Sequence, residues 1–450
     1  MKSEEVLGKE KMWKLIAAMT IPAILAQIVN LLYNIVDRIY IGNMPGVGRD
    51  ALAGLGLCIP IITLISAFSA FVAGGGAPLA SRALGKGDKE KAHRILGNGA
   101  FLLLVFSFVL SLAAYIAKKT ILYAIGASDV TYGYANDYLT LYLIGTVCVQ
   151  IGVGLNTFLT AQGKSTPAMI STLIGAILNI ALDPLFIFVF HLGVKGAALA
   201  TVLTQAVSAI WVVFVLTRKK TSLRLIPRYM KPDIGIILNI FALGIASFVM
   251  AATESMIGFV LNGRLKYYGG DIHVSTLAIL QSVMMLISTP ISGFTQGVMP
   301  ILAYSYGAKS PVRLKDCFKK TLVVSFSFTC ISALIMMLFP HPFVRMFTSD
   351  EELIALAVRY LPVFVSGMLI FGIQRACQTA FISVGEAGIS LFIAILRKLI
   401  LLIPFAYLFP LFLGVGGIYC AECVADLMSA MICGTIFFFR FKKVLSRISE

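Results

Sequence analysis

Residues 168–190 read AMISTLIGAILNIALDPLFIFVF. At 1.5 Å per residue this stretch makes a helix of roughly 35 Å, enough to cross a hydrocarbon core of about 30 Å. It holds one charged residue, Asp183, followed at once by Pro184. Residues 322–339 form a second block of the same kind. The composition fits such blocks throughout. The chain has 450 residues, of which 59% are hydrophobic and 13% charged, against about 45–50% and 25% in soluble domains. The expected class is an all-α polytopic membrane protein. Soluble enzyme, secreted disulfide scaffold and disordered tail are excluded.

Working outward, twelve spans are expected, near 15–40, 51–76, 96–117, 134–159, 168–190, 195–217, 235–262, 273–299, 318–339, 357–383, 388–410 and 416–440. Each is read as a helix, because a lipid-facing backbone must satisfy its hydrogen bonds within its own segment. Barrel strands would show alternating blocks of about ten residues, which are absent. The N-terminal MKSEEVLGKEKMWK mixes acids with lysines, and no small-residue cleavage site follows, so the first span reads as uncleaved. Most of the eight Cys, such as Cys58, Cys148, Cys330 and Cys433, sit in apolar blocks and read as small hydrophobes.

The net charge of +16 has a topological explanation. With the N-terminus inside, 25 of the 37 Lys and Arg fall on the cytoplasmic side. They cluster at Lys2 to Lys14, Arg82 to Arg94, Lys164, Arg218 to Lys231, Lys309 to Lys320 and Arg440 to Arg447. This bias places both termini in the cytoplasm and the protein in the cytoplasmic membrane. Nucleic-acid binding is not needed to explain the charge.

The chain also repeats. A shift of 222 places Pro78 on Pro300, Gly85 on Gly307, Tyr138 on Tyr360, Gly145 on Gly367 and Gly163 on Gly385. A shift of 221 places Leu192-Gly193-Val194 on Leu413-Gly414-Val415, Gly196 on Gly417 and Ser208 on Ser429. Six spans per half return each half to its starting side, so the two are parallel repeats about an axis along the membrane normal. The expected organisation is a six-helix lobe over 1–217, a basic cytoplasmic linker over 218–233 with Pro227 and Pro232, and a second six-helix lobe over 234–450. Two such bundles around a cleft are the architecture of an alternating-access transporter.

Charges inside a membrane cost at least about 2.5–3.5 kcal/mol each at the centre and require a reason. The first half places Asp37 in span 1 and Asp183 in span 5. Asn179 shares a helical face with Asp183, and Pro184 leaves the carbonyl of Ile180 without its usual donor. Carboxylate, amide and carbonyl at one level suit a hard cation or a proton, and Thr201 or Thr204 adds a hydroxyl. The plainer reading has Asp183 bonded to backbone at a kink and Asp37 paired with Arg38. If the two acids meet in a dry cavity, both cannot stay ionised.

In the second half, Glu254, Gln281, Gln374 and Arg375 are the candidates to line a substrate cavity. Arg397 and Lys398 face Glu422 and Asp426 either as an interhelical ion-pair network or as substrate groups. Cys420 and Cys423 have no second ligand pair nearby and read as chance thiols. Walker A, His-Glu-x-x-His and nucleophile-elbow patterns are absent from the sequence, so no enzyme and no cofactor is expected, and an ion gradient must drive transport.

The segments Tyr33-Asn34-Ile35-Val36-Asp37-Arg38-Ile39-Tyr40-Ile41-Gly42, Ala51-Leu52-Ala53-Gly54, Ser81-Arg82-Ala83-Leu84-Gly85, Leu178-Asn179-Ile180-Ala181-Leu182-Asp183-Pro184 and Gly193-Val194-Lys195-Gly196-Ala197-Ala198 together resemble the multidrug and toxic compound extrusion transporters, over essentially the full chain. The stretch through Asp183-Pro184 looks most like the bacterial drug-exporter branch. The resemblance implies export of lipophilic cations against entry of protons or sodium. It assigns Asp37, Asn179 and Asp183, with Thr201, to a proton or Na⁺ site in the first lobe. Another branch uses a span 7 acid, which Glu254 matches, together with a span 10 acid, where this chain has Gln374 and Arg375 instead.

The leading expectation is a monomeric antiporter exporting small lipophilic or cationic substrates from the membrane in exchange for H⁺ or Na⁺. A flippase for lipid-linked saccharide precursors is the second expectation, supported by Arg375, Arg397 and Lys398. A channel or a non-transporting receptor is the third.

Overall fold

The structure is a computed structural model that describes residues 7–219 and 221–449, apart from the side chains of Arg49, Glu254, Ser255, Phe259, Asp271, Ala387 and residues 447–449. Lys2, Lys220 and the side chains of Glu254 and Arg447, all named above, therefore lie outside the described residues. Ten described helices are long and apolar enough to cross a membrane, and two bent helix pairs raise the count to twelve spans. In the first half these are α1 (Met12–Gly42), α2 (Gly48–Gly85), α3 (Lys89–Ile125), α4 (Asp129–Ile144 with Thr146–Ala161), α5 (Ser165–Val189) and α6 (Val194–Thr217). In the second half they are α7 (Ile234–Gly270), α8 (Ile272–Gly307), α9 (Pro311–Leu338), α10 (Glu351–Ser366 with Met368–Val384), α11 (Gly388–Leu413) and α12 (Val415–Ser446).

The internal repeat is built into the backbone. Ser128 caps α4 through a capping box with Thr131, and Asp350, 222 positions on, caps α10 by accepting from the amides of Glu352 and Leu353. Both helices then break at the paired glycines. α4 bends by 58° at Gly145 and α10 by 41° at Gly367. The paired turns Gly163 and Gly385 have φ of 86° and 88°, a left-handed conformation that glycine adopts without steric cost. Gly193 and Gly414 match in the same way, at φ 55° and 56°.

Several helices outrun the apolar blocks that announced them. α2, expected over 51–76, continues to Gly85, and α3, expected over 96–117, covers Lys89–Ile125. Intrahelical bonding continues past the point where hydropathy fades. α11 is less regular than expected, with a π-helical turn over Leu396–Leu402.

The core forms two clusters in each half, and the first helix of each half crosses toward the other. The start of α1 (Leu15, Ile16, Met19) packs in a cluster with α8, α9, α10 and α12. The start of α7 (Ile236, Ile240) packs with α2, α3, α4 and α6. Glycines allow this crossing. A Cβ on Gly75 of α2 would lie 2.0 Å from the Ile240 carbonyl of α7, and one on Gly297 of α8 would lie 2.7 Å from the Met19 carbonyl of α1. At the ends of α2 and α8 the contact is reciprocal. Gly85 abuts the Tyr304 carbonyl and Gly307 the Arg82 carbonyl, at 2.2 and 2.1 Å for an added Cβ. These pairs are related by the 222-residue shift and mark the pseudo-twofold axis. All lie toward the side of the molecule that carries the chain termini, called the terminal side below, so the halves meet there.

Candidate functional site

Helix α5 brings Asn179 and Asp183 to one face, and the Asn179 Nδ2 donates to Asp183 Oδ1 at 3.2 Å. Asp183 is fully buried and Asn179 nearly so. Asp37 of α1 brings its carboxyl group within hydrogen-bonding range of the Asp183 carboxyl. Arg38, its neighbour in sequence, is exposed. The plainer reading has Asp183 bonded to backbone and Asp37 paired with Arg38; Asp183 instead accepts from Asn179 and meets Asp37, on which the Arg38 charge also acts. Tyr33 and Tyr138 flank Asp37 closely enough to interact with it electrostatically, and Thr201 adjoins the Tyr138 side chain.

Three acceptor oxygens in this cluster, Asp37 Oδ1, Asn179 Oδ1 and Asp183 Oδ2, have no hydrogen-bond partner in the protein. Buried acceptors left in that state cost free energy, and two facing carboxylates out of water repel. One proton shared by the pair, or one small cation held by the same oxygens, removes both penalties. A hard cation prefers all-oxygen surroundings of this kind.

Beside the acid pair, between the two halves, lies a cavity of about 570 Å³. Tyr33 belongs to both the cavity wall and the acid cluster. Polar side chains from both halves reach the cavity, including Gln27 and Asn30 from α1, Gln205 from α6, Gln296 from α8, and Arg375 and Gln378 from α10. Gln27 donates to Gln296 at 3.0 Å, joining α1 to α8 across the cleft. Arg375 donates to Ser292 Oγ at 3.1 Å. Small residues, among them Ala70, Ala73, Gly74 and Ala77 on α2, leave the cavity its width, and Met250 and Met299 supply adaptable apolar surface.

The sequence candidates divide here. Arg375 lines the cavity, whereas Gln374 is 2% exposed and accepts from Ser429 Oγ at 2.8 Å inside the second half. One residue along a helix is a turn of about 100°, which separates these neighbours. Gln281 is likewise not among the cavity's wall residues. Gln27, Asn30, Gln205 and Gln296 were not singled out from the sequence. Uncharged amides are common in spans, and no spacing rule says which face meets the cleft.

Among the described residues, the second half carries two buried acids, Glu422 and Asp426, already partnered. Arg397 of α11 is hydrogen-bonded through Nε to Asp426 Oδ1 and lies 3.6 Å from Glu422 Oε1, both on α12. Its guanidinium also stacks 4.5 Å above the Phe371 ring. All three charged side chains are at most 14% exposed. This is the interhelical network that the four-residue spacing of Glu422 and Asp426 allowed.

Comparison with known proteins follows the same lines. The chain is 25% identical over 434 residues to the multidrug export protein MepA of Staphylococcus haemolyticus, covering 96% of this chain and 95% of that protein. Among solved structures, a MATE transporter in a bent conformation superposes with a TM-score of 0.93 at 24% identity, covering all of both chains. An outward-facing multidrug resistance MATE transporter of the MOP superfamily gives 0.91 at 24% identity over 99% of each. The MatE family profile matches residues 22–185 and 246–408, one segment in each half, and the chain belongs to the MatE family of membrane transporters.

Proposed function

We propose that this protein is a secondary antiporter that exports lipophilic organic cations in exchange for protons or sodium ions. The observation that carries this reading is the pair Asp37–Asp183, with Asp183 fully buried and accepting from Asn179, adjoining the central cavity through Tyr33. The name of the staphylococcal relative supports multidrug export as the activity. In this account the lobes 1–217 and 234–450 rock against each other, with both termini in the cytoplasm and the linker 218–233 between them. With the cleft open to the outside, a proton or Na⁺ enters the acid pair and weakens the hold on a cationic substrate, which leaves. With the cleft open to the cytoplasm, loss of the ion restores the negative charge that attracts the next substrate. A ligand shifts such an equilibrium only by its differential affinity for the two states, and the acid pair supplies that difference.

The test is uptake of a fluorescent lipophilic cation by proteoliposomes with pH and sodium gradients imposed one at a time. The expected outcome is uphill transport under at least one gradient and none when both are collapsed. Purely downhill flux under every condition would overturn the antiporter. A second reading, export or flipping of amphiphiles with an anionic group, is favoured by Arg375, the one charged side chain on the cavity wall among the described residues. It predicts competition by lipid-linked phosphates, which the first reading does not.

A further inference from the structure

A second hollow, of about 610 Å³, lies between α10 and α12. Ile370 and Ile373 form one wall, and Ala430, Gly434 and Phe438 the other. It does not face the central cavity. Ile373 and Arg375 are two residues apart on one helix and so point roughly 200° from each other, and Arg375 lines the cavity. The hollow therefore opens toward the bilayer. Large apolar side chains stand at its edge, with Met431 59%, Phe438 61% and Phe439 70% exposed. Its depth comes from Gly434, where an added Cβ would meet only Ile373 Cγ2, at 3.6 Å.

The hollow also has a level in the membrane. Helix α12 runs toward the terminal side, and about ten residues of helix cross half of a 30 Å core. Residues 430–439 therefore occupy the leaflet on the terminal side. Directly beyond them come Arg440, Lys442 and Lys443, all exposed. The Lys442 ammonium lies 4.9 Å above the Phe438 ring, and Lys443 stands one turn beyond Phe439, so these two cations adjoin the apolar hollow, whereas Arg440 points to the opposite face of α12. No ion pair involves these three residues among the described residues.

We infer that this is a binding site for an anionic phospholipid of the terminal-side leaflet, with an acyl chain in the hollow and the phosphate on Lys442 and Lys443. Charge complementarity selects that occupant. A zwitterionic lipid brings its own ammonium to the cluster. A second copy of this chain, docked through the same face about a twofold axis, would set Lys442 and Lys443 of the two copies against each other. A bound lipid would splint α10 to α12 on the outer side of the Gln374–Ser429 hydrogen bond.

The experiment is native mass spectrometry of the delipidated full-length protein, titrated with phosphatidylglycerol or phosphatidylcholine. The wild type is expected to retain phosphatidylglycerol preferentially. Removing the adjoining cations (K442Q and K443Q, singly and together) should weaken that retention about fivefold per cation, whereas R440Q, on the opposite face of α12, should change it less. Gly434→Leu, which fills the hollow, should lower retention of both lipids. Equal retention of the two lipids by the wild type would overturn the site, as would a phosphatidylglycerol preference that survives the K442Q/K443Q variant. A stable dimer lost in Gly434→Leu, with no lipid preference, would reassign the face to self-association.

Discussion

The two halves share a backbone plan, yet they treat their membrane-buried acids in opposite ways. In the second half, Asp426 and Glu422 are held by Arg397, a cation that belongs to the chain and cannot leave. In the first half, Asp37 and Asp183 have each other and an amide, and three oxygens without a protein donor, against one, Asp426 Oδ2, in the Arg397 cluster. A fixed counter-ion makes a structural tie; where it is missing, the proposed antiport seats an ion that comes and goes. The difference teaches that duplication gave two similar bundles, of which the acid pair suits one to ion exchange and the guanidinium suits the other to bracing.

The contrast can be broken by substitution. The largest expected effect is on transport: Asp183→Asn should reduce uphill export in proteoliposomes to the passive leak while thermal unfolding stays within about 1 kcal/mol, because the change is nearly isosteric and removes a like-charge clash. Undiminished export would erase the functional distinction between the halves. Next, Arg397→Gln should destabilise the protein by about 3–5 kcal/mol, since it leaves two buried carboxylates uncompensated. The protein that does fold should still export. Unchanged thermal unfolding would mean that Asp426 and Glu422 do not depend on the guanidinium. Asp426→Asn should cost less, about 1.5–3 kcal/mol, the range of a hydrogen bond to a charged group, and should again leave transport per folded molecule intact.

The smallest effects sharpen the comparison at the paired turns. Gly163→Ala and Gly385→Ala both force a side chain into left-handed backbone, at about 1–2 kcal/mol each. Gly385 has a further constraint, because its Cβ would lie 2.2 Å from Nη1 of Arg82, which donates to the Val384 carbonyl at 3.5 Å across the halves. Gly385→Ala should therefore lower the thermal midpoint more than Gly163→Ala. It should also increase labelling of cysteines introduced on the terminal side. Equal behaviour of the two variants would remove Arg82 from the closure of that side.

Much of this was legible in the sequence, for reasons that differ residue by residue. Apolar blocks announced the spans because lipid demands them, and paired glycines announced the repeat because the left-handed turns at Gly163 and Gly385 favour glycine so strongly. Asn179 and Asp183 shared a face by helical arithmetic alone. Their meeting with Asp37 was suspected from charge economy, but it required the packing of α1 on α5 to establish. The crossing of α1 and α7 was not legible, because it depends on backbone approach at Gly75 and Gly297, and a glycine in an apolar span carries no address. The cavity wall was only partly legible. Gln374 and Arg375 are neighbours in sequence, yet one ties α10 to α12 and the other reaches the cleft.

The central claim, that substrate and coupling ion alternate at the acid pair, is tested most directly by ion release on substrate binding. A lipophilic cation such as tetraphenylphosphonium would be added to weakly buffered purified protein, with a pH indicator for protons and radioactive sodium for Na⁺. The account predicts that the wild type releases protons or sodium ions in proportion to the substrate bound, and that the Asp37→Asn/Asp183→Asn protein releases neither. Substrate binding to the wild type without ion release, or undiminished release from the double variant, would contradict it.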